Sequence, residues 1–262
     1  MSGAAERGRQ VGFGIDIGGS GMKAAVVELE SGTLRGERER IKTPHPATPA
    51  PMADIVRQLV EAQGWTEPLG VTFPGVVRSG RIETAANLDS SWLGVQADEL
   101  FSAAAGVDVV VLNDADAAGL AEVEFGAAKG RAGVVVVLTF GTGIGSAMFN
   151  DGTLLPNTEL GHLELDGALA EHRAAARIRK DEDLGWEEWS ARVQRYLRHV
   201  ELLFSPDLFV VGGGISKNPE KWRQHLDVST EIVPAELANG AGIVGAALVA
   251  ATRSARTALP QP

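Results

Sequence analysis

Two stretches of the chain, IDIGGSGMKAAVVELESGTL (15–34) and LTFGTGIGSAMFNDGTL (138–154), share one layout. Each passes from an apolar strand through a Gly/Ser/Thr turn into a second strand and closes on Gly-Thr-Leu. The first glycine precedes the Gly-Thr by 14 positions in one copy and by 11 in the other. Such a chain is expected to fold as two related halves, each presenting a glycine hairpin, with a cleft between two lobes. A string of phosphates could then be gripped from both sides.

The second copy sharpens that expectation. Gly141, Gly143 and Gly145 are spaced G-x-G-x-G rather than G-x-G-x-x-G. The SAMF that follows reads as a strand, where a dinucleotide-binding unit would open a helix. The stretch is therefore read as a hairpin turn whose backbone N–H groups face an anion.

The remainder alternates strands and helices. Residues 11–17 (VGFGIDI) read as a buried strand and AAVVELE as its neighbour. The four prolines of IKTPHPATPAP (41–51) predict an extended connection, after which Met52, Ile55, Val56, Leu59 and Val60 recur at helical spacing. GVTFPGVV (70–77), VDVVVLND (107–114) and VVVVLTF (134–140) read as apolar strands, and DAAGLAEVEF (116–125) as a helix. In WEEWSARVQRYLRHVELLF (186–204), Trp186, Trp189, Val193, Leu197, Val200 and Phe204 make the stripe of a core-packing helix. LFVVGGGIS (208–216) runs from a strand into a glycine turn, and AGIVGAALVAA (241–251) is a small-residue helix suited to close packing on a sheet. The fold class expected is α/β with partly parallel sheets. A small domain at 1–115, joined by a C-terminal helix at 241–255, is expected to precede a large domain at 116–240.

Composition removes several alternatives. The chain has no Cys, which excludes disulfides, thiolate metal sites and cysteine nucleophiles. Its formal net charge of −10 argues against nucleic acid as a partner. No apolar run reaches the roughly 18 residues of a membrane span, and MSGAAERGRQ lacks a signal-peptide core. The expectation is a cytoplasmic enzyme with no membrane partner.

DIGGSGMK, VLNDADAAG, LTFGTGIGSA, NTELGH and VVGGGIS stand in the order found in the ROK sugar kinases, within the actin-like sugar kinase superfamily, which this chain resembles. TFPGVV, TAANLDSSW, DGTLLPNTELGHLELDG and DEDLGWEEW extend the similarity over nearly the whole chain. They are similar to the branch of that family that draws on inorganic polyphosphate. The resemblance implies a two-lobed actin-like (ribonuclease H-like) fold with a cleft between lobes. It implies a glucokinase that moves a phosphoryl group from inorganic polyphosphate, and from ATP, to the 6-hydroxyl of glucose. Mg²⁺ as cofactor and a homodimer belong to the same implication.

Residue by residue, the resemblance assigns roles. Asp114 becomes the catalytic base, since a sugar hydroxyl needs a carboxylate to take its proton during phosphoryl transfer. The competing role for a strand-end Asp is the N-cap of the next helix, which Asp116 could fill instead. Asn87, Asn113, Asp114, Glu159, His162 and Glu171 become the sugar-binding set, because carboxylates, carboxamides and imidazole can each pair vicinal hydroxyls. Asp16, Gly18, Gly19, Ser20, Gly21 and Lys23 match the first phosphate loop, with Asp16 holding Mg²⁺ directly or through water. Thr139, Gly141, Thr142 and Gly143 match the second. Gly212, Gly213 and Gly214 border the donor where ATP-using relatives bind adenosine, or form a plain strand-to-helix turn. Lys23 is either a phosphate contact or a solvated edge residue.

Two features depart from the general pattern. Many ROK relatives carry a Cys-rich zinc loop after the Gly-His, but here residues 163–170 read LELDGALA. No thiolate zinc site can exist, so something else must orient His162. In the polyphosphate-using relatives the next segment reads closer to DGHDAE, against DGALAE (166–171) here.

A protein of net charge −10 also needs a local basic track for a long polyanion. If helical, EHRAAARIRK (171–180) places Arg173, Arg177 and Lys180 on one stripe; the alternative is a solvated face balanced by DED at 181–183. Two other functions compete with the leading one. One is an ATP-only ROK hexokinase acting on glucose or mannose. The other is a ROK sugar-sensing regulator, which would carry an N-terminal DNA-binding module, whereas the phosphate loop here begins at residue 16.

Overall fold

In a computed structural model, which describes residues 11–85 and 88–257, the chain divides into two compact units. One runs to Ala121 and resumes at Gly240; the other is Glu122–Asn239.

In the first unit, β1 (Val11–Gly18), β2 (Gly21–Glu28) and β3 (Thr33–Ile41) form an antiparallel meander. After helix α1 (Pro49–Gln63), β4 (Leu69–Phe73) joins β1 in parallel. A short ribbon of β5 (Val77–Arg78) and β6 (Arg81–Ile82) and helix α2 (Ala97–Ala105) lead to β7 (Val109–Asn113), parallel to β4. The sheet order is β3-β2-β1-β4-β7. The period-two alternation of β1 sends Phe13, Ile15 and Ile17 into a core with Met52, Val56 and Leu59 of α1 and with Trp92. Trp92 packs edge-on against Phe73 at 4.9 Å between ring centroids, and its indole N–H donates to the Ala47 carbonyl at 2.8 Å.

The second unit repeats the plan. Helix α3 (Asp114–Phe125) leads from β7 towards β8 (Val134–Phe140), β9 (Ile144–Asn150) and β10 (Thr153–Leu155), again an antiparallel meander. A two-stranded ribbon of β11 (Glu164–Leu165) and β12 (Ala168–Leu169) precedes helices α4 (Glu171–Ala174), α5 (Ala176–Asp181) and α6 (Trp186–Phe204). Strand β13 (Leu208–Gly213) then joins β8 in parallel and β14 (Glu231–Pro234) joins β13, giving the order β10-β9-β8-β13-β14. The two sheets therefore share one topology, as the paired sequence stretches lead one to expect. In both meanders the Gly-Thr-Leu turn places its glycine at positive φ, +70° at Gly32 and +75° at Gly152, a conformation that costs other residues energy.

Helix α7 (Ala241–Thr257) returns to the first sheet and packs on β1 and β4. It lies on the face of β1 opposite Phe13, where glycines replace side chains. A Cβ on Gly14 would stand 2.0 Å from the Ile243 carbonyl oxygen, and one on Gly70 would stand 2.0 Å from that of Ala246. Glycine lets the helix backbone rest directly on the sheet.

Two local expectations are corrected. Pro49 and Pro51 do not belong to an extended connection: α1 starts at Pro49, with Thr48 as N-cap. First-turn residues lack intrahelical N–H partners, so proline costs nothing there. The segment 171–180 is not one helix, because Ala175 is extended (φ −57°, ψ 151°) and separates α4 from α5. Among the described residues, no helix is long and apolar enough to cross a membrane.

Candidate active site

The first unit contributes the turn between β1 and β2. Gly18 and Gly21 are paired across it, leaving Gly19 and Ser20 exposed at its tip. Just before the turn, Asp16 is fixed by a residue from β4. The buried Thr72 hydroxyl donates to Asp16 Oδ1 at 2.9 Å and accepts from the Ile17 amide at 3.1 Å. Asp16 Oδ2 lies 3.5 Å from Lys23 Nζ, its cross-strand partner. The N-terminal turn of α7 approaches the same carboxylate, since a Cβ on Gly242 would stand 2.9 Å from Asp16 Oδ1. Thr43 Oγ1 holds the Gly18 carbonyl at 2.5 Å, and Arg40 Nη2 donates to the Ser20 carbonyl at 3.0 Å. Thr72, Thr43 and Arg40 carry no local sequence signal, because each reaches the turn through strand pairing or a distant loop.

The same unit holds the Asn-Asp pair at the end of β7. Asn113 is buried; its Oδ1 accepts the Asp116 amide at 2.9 Å and its Nδ2 donates to the Gly75 carbonyl at 3.0 Å. Asn113 is thus the residue that caps α3, rather than Asp114 or Asp116. Half-buried Asp114 uses Oδ1 to accept the amide of Ala115 at 2.8 Å, which fixes its carboxylate at the first turn of α3. Asn87 lies outside the described residues.

In the second unit, β8 and β9 are joined by Gly141, Thr142 and Gly143, and the Gly141 amide donates to the Gly143 carbonyl at 2.9 Å. Thr139, near the end of β8, pairs with Gly145 and with Gly212. Glu171, at the start of α4, is brought against this hairpin. Its Oε2 accepts the Ile144 amide at 3.2 Å, and a Cβ on Gly143 would stand 2.3 Å from that oxygen.

His162 ends a 3₁₀ turn (Leu160–His162) whose N-cap is Glu159. Its Nδ1 lies 3.7 Å from Glu159 Oε2 and its Nε2 lies 3.6 Å from Glu171 Oε1. Two carboxylates thus flank the imidazole, one at each ring nitrogen. Burial pushes the Glu159 carboxyl above the ordinary glutamate range, His162 opposes that shift, and Glu171 adds to it. The turn sits close to β9: Ser146 Oγ accepts the Leu160 amide at 2.9 Å, and a Cβ on Gly161 would stand 2.1 Å from the Ile144 carbonyl oxygen.

Around these groups, the break at Ala175 takes Arg173 and Arg177 off a common stripe. Arg173 donates to the Asp166 carbonyl at 3.3 Å. The Arg177 amide donates to the Gly141 carbonyl at 3.0 Å, which ties α5 to the hairpin, and its guanidinium lies 3.7 Å from Asp181. Lys180 stands a turn later on α5, among exposed positions. Gly213 has φ +83° and a Cβ there would stand 2.2 Å from the Phe140 carbonyl oxygen, so the sheet itself requires this glycine. Gly214 opens a 3₁₀ turn and has no such neighbour.

Asp16 is a hard oxygen donor just before the glycine turn. Mg²⁺ is held by one or two carboxylates plus substrate phosphates and keeps several waters, and a single fixed carboxylate fits that pattern.

The sequence model of the ROK family matches residues 12–185. The chain is 52% identical over 238 residues to a polyphosphate glucokinase of Mycobacterium tuberculosis (strain CDC 1551 / Oshkosh), covering 90% of each chain. It is similar in structure to the inorganic polyphosphate/ATP-glucomannokinase of Arthrobacter sp. strain KM, with a TM-score of 0.90 and 50% identity over 94% of this chain and 100% of the other. A ROK family glucokinase from Streptomyces griseus, 24% identical with a TM-score of 0.80 over 92% of this chain and 99% of that one, shares the fold.

Proposed function

The chain belongs to the ROK family, and we propose that it phosphorylates the 6-hydroxyl of glucose with inorganic polyphosphate, and with ATP, as the phosphoryl donor. The observation that carries this reading is likeness to two polyphosphate-using sugar kinases across nine-tenths of the chain.

Each unit contributes its own chemistry. Asp114 accepts the proton of the 6-hydroxyl as the phosphoryl group arrives, which leaves the oxygen nucleophilic without a free alkoxide. Asn113 fixes the start of α3 through its cap, and keeps one amide N–H for a ligand. Glu159, His162 and Glu171 pair ring hydroxyls, with the imidazole oriented by the two carboxylates. Gly141, Thr142 and Gly143 with Thr139 hold donor phosphates, and Gly18, Gly19, Ser20, Gly21 and Lys23 do the same in the first unit. Arg177, tied to Gly141, is the member of the 171–180 segment best placed to join the donor contacts; Arg173 and Lys180 complete that set. Asp16 would hold Mg²⁺, which when bound neutralises charge on the phosphates. Gly213 and Gly214 border the nucleoside end of ATP.

A second acceptor is favoured by one observation: the Arthrobacter relative is a glucomannokinase, so mannose joins glucose in the proposal. We extend the proposal to a homodimer, supported by Leu202 and Leu203, which are 78% and 50% exposed side by side on α6.

The test is direct. Purified protein with Mg²⁺ is offered glucose or mannose, with polyphosphate and ATP as separate donors. Glucose 6-phosphate from both donors is expected. Turnover with ATP alone would replace this reading with an ATP-only hexokinase.

A further inference from the structure

A row of paired residues crosses the first sheet: Thr72 on β4, Asp16 on β1, Lys23 on β2 and Arg40 on β3. Directly paired residues project from the same face of a sheet, so these four polar side chains form one lateral line. Strands lie about 4.8 Å apart, which puts the Arg40 backbone roughly 10 Å from that of Asp16, outward towards the sheet edge.

Arg40 is bound to the phosphate turn rather than to an acid. Its Nη2 donates to the Ser20 carbonyl at 3.0 Å, and among the described residues its guanidinium makes no ion pair. Other arginines do: Arg35 with Glu28, Arg131 with Glu231, Arg195 with Asp166, Arg198 with Asp227. In a chain of net charge −10, an unneutralised guanidinium lying on the glycine turn is a local exception.

Gly21 gives independent support. Its φ is not in the left-handed range, so backbone freedom does not account for it. A Cβ there would stand 2.7 Å from Arg40 Nε and 3.0 Å from Cζ. What glycine provides at this position is room for the guanidinium. Only one of its five N–H donors goes to Ser20, which leaves a fork open to an anion.

We infer that Arg40 binds the polyphosphate chain beyond the phosphates held at the Asp16 turn, and so favours long polyphosphate over ATP. The inference rests on the donor proposed above. ATP ends after three phosphates in a nucleoside, whereas a long polyanion continues to present charge along the row from Asp16 to the sheet edge. The bland role for Arg40 is to clamp the Ser20 carbonyl and steady the turn for any donor.

The experiment compares Arg40→Ala and Arg40→Lys with the wild type, using long-chain polyphosphate and ATP at low and raised salt. Loss of a charge-assisted contact predicts that kcat/KM for long polyphosphate falls about tenfold in Arg40→Ala. The loss with ATP is expected to be several-fold smaller than that with long polyphosphate, since for ATP only the contact with the Ser20 carbonyl is removed. Arg40→Lys restores most of the polyphosphate activity, because it keeps the charge. Salt raises KM for long polyphosphate more steeply in the wild type than in Arg40→Ala. Equal losses with both donors, or no loss with polyphosphate in correctly folded variants, overturn the inference. Wild-type turnover with ATP but none with polyphosphate overturns the donor reading itself, and this inference with it.

Discussion

Glu171 Oε1 stands 3.6 Å from His162 Nε2, while the other oxygen of the same carboxylate accepts the Ile144 amide at 3.2 Å. One side chain therefore joins the second glycine hairpin to the imidazole proposed to bind sugar. In a chain without Cys, this carboxylate is a neighbour of the histidine that is itself held by the hairpin backbone. Glu171→Gln keeps an acceptor for Ile144 but removes the charge facing His162. We expect KM for glucose to rise roughly tenfold with either donor, as loss of a charge-assisted contact implies. A change confined to one donor, seen in steady-state kinetics, would contradict the shared role.

Asp114→Asn preserves shape and removes the proton acceptor. The expected result is a fall in kcat of about 10²–10⁴ with polyphosphate and with ATP alike. Glucose binding, followed by calorimetry, should stay close to that of the wild type. Near wild-type turnover would remove Asp114 from its proposed role.

Glu159 offers a pH test whose sign follows from burial. Burial raises its carboxyl above the ordinary glutamate range, so the folded state binds this proton more tightly than the unfolded chain does. Stability linked to this group is complete below the unfolded value and is lost as pH rises through the folded one. Glu159→Gln removes the titration. The melting temperature of the variant relative to the wild type should therefore increase from acid towards neutral pH, while KM for glucose rises. A difference that is flat across that window, measured by thermal unfolding, would show that burial does not govern the group.

Glu122 is buried in the second unit, where it accepts the amides of Ala127, Glu236 and Leu237 at 2.9, 3.2 and 2.8 Å. Glu122→Gln turns one acceptor oxygen into an NH₂ group facing N–H donors. A destabilisation of about 2–4 kcal/mol is expected from a buried, charge-assisted network broken in this way. Denaturant unfolding measures it, and a cost under about 0.5 kcal/mol, the usual range of surface changes, would be inconsistent with the network.

Gly245 is set against α3, and a Cβ there would stand 1.8 Å from the Ala117 carbonyl oxygen. Backbone cannot move aside as a side chain can, so Gly245→Ala should destabilise by about 1–3 kcal/mol or more. Gly12→Ala, whose nearest contact would be 3.1 Å, is the milder comparison. Similar melting temperatures for the two variants would argue against close packing of α7.

Features that depend on a few neighbouring residues were legible in the chain alone. The duplicated hairpins, the α6 stripe from Trp186 to Val200 and strand β8 follow from local periodicity, and the turns at Gly32 and Gly152 follow from a local φ requirement. Strand β3, TLRGERERI, shows no alternation because its side chains are largely exposed; pairing with β2 makes it a strand. Contacts between distant residues decided the rest. Thr72 reaches Asp16 across 56 positions and Glu171 reaches Ile144 across 27. Gly21, Gly143 and Gly213 read alike as cradle glycines, yet their neighbours are the Arg40 guanidinium, the Glu171 carboxylate and the Phe140 carbonyl. Sequence reports that a side chain is missing, whereas the group occupying the space comes from elsewhere in the fold. Only the packed structure identifies it.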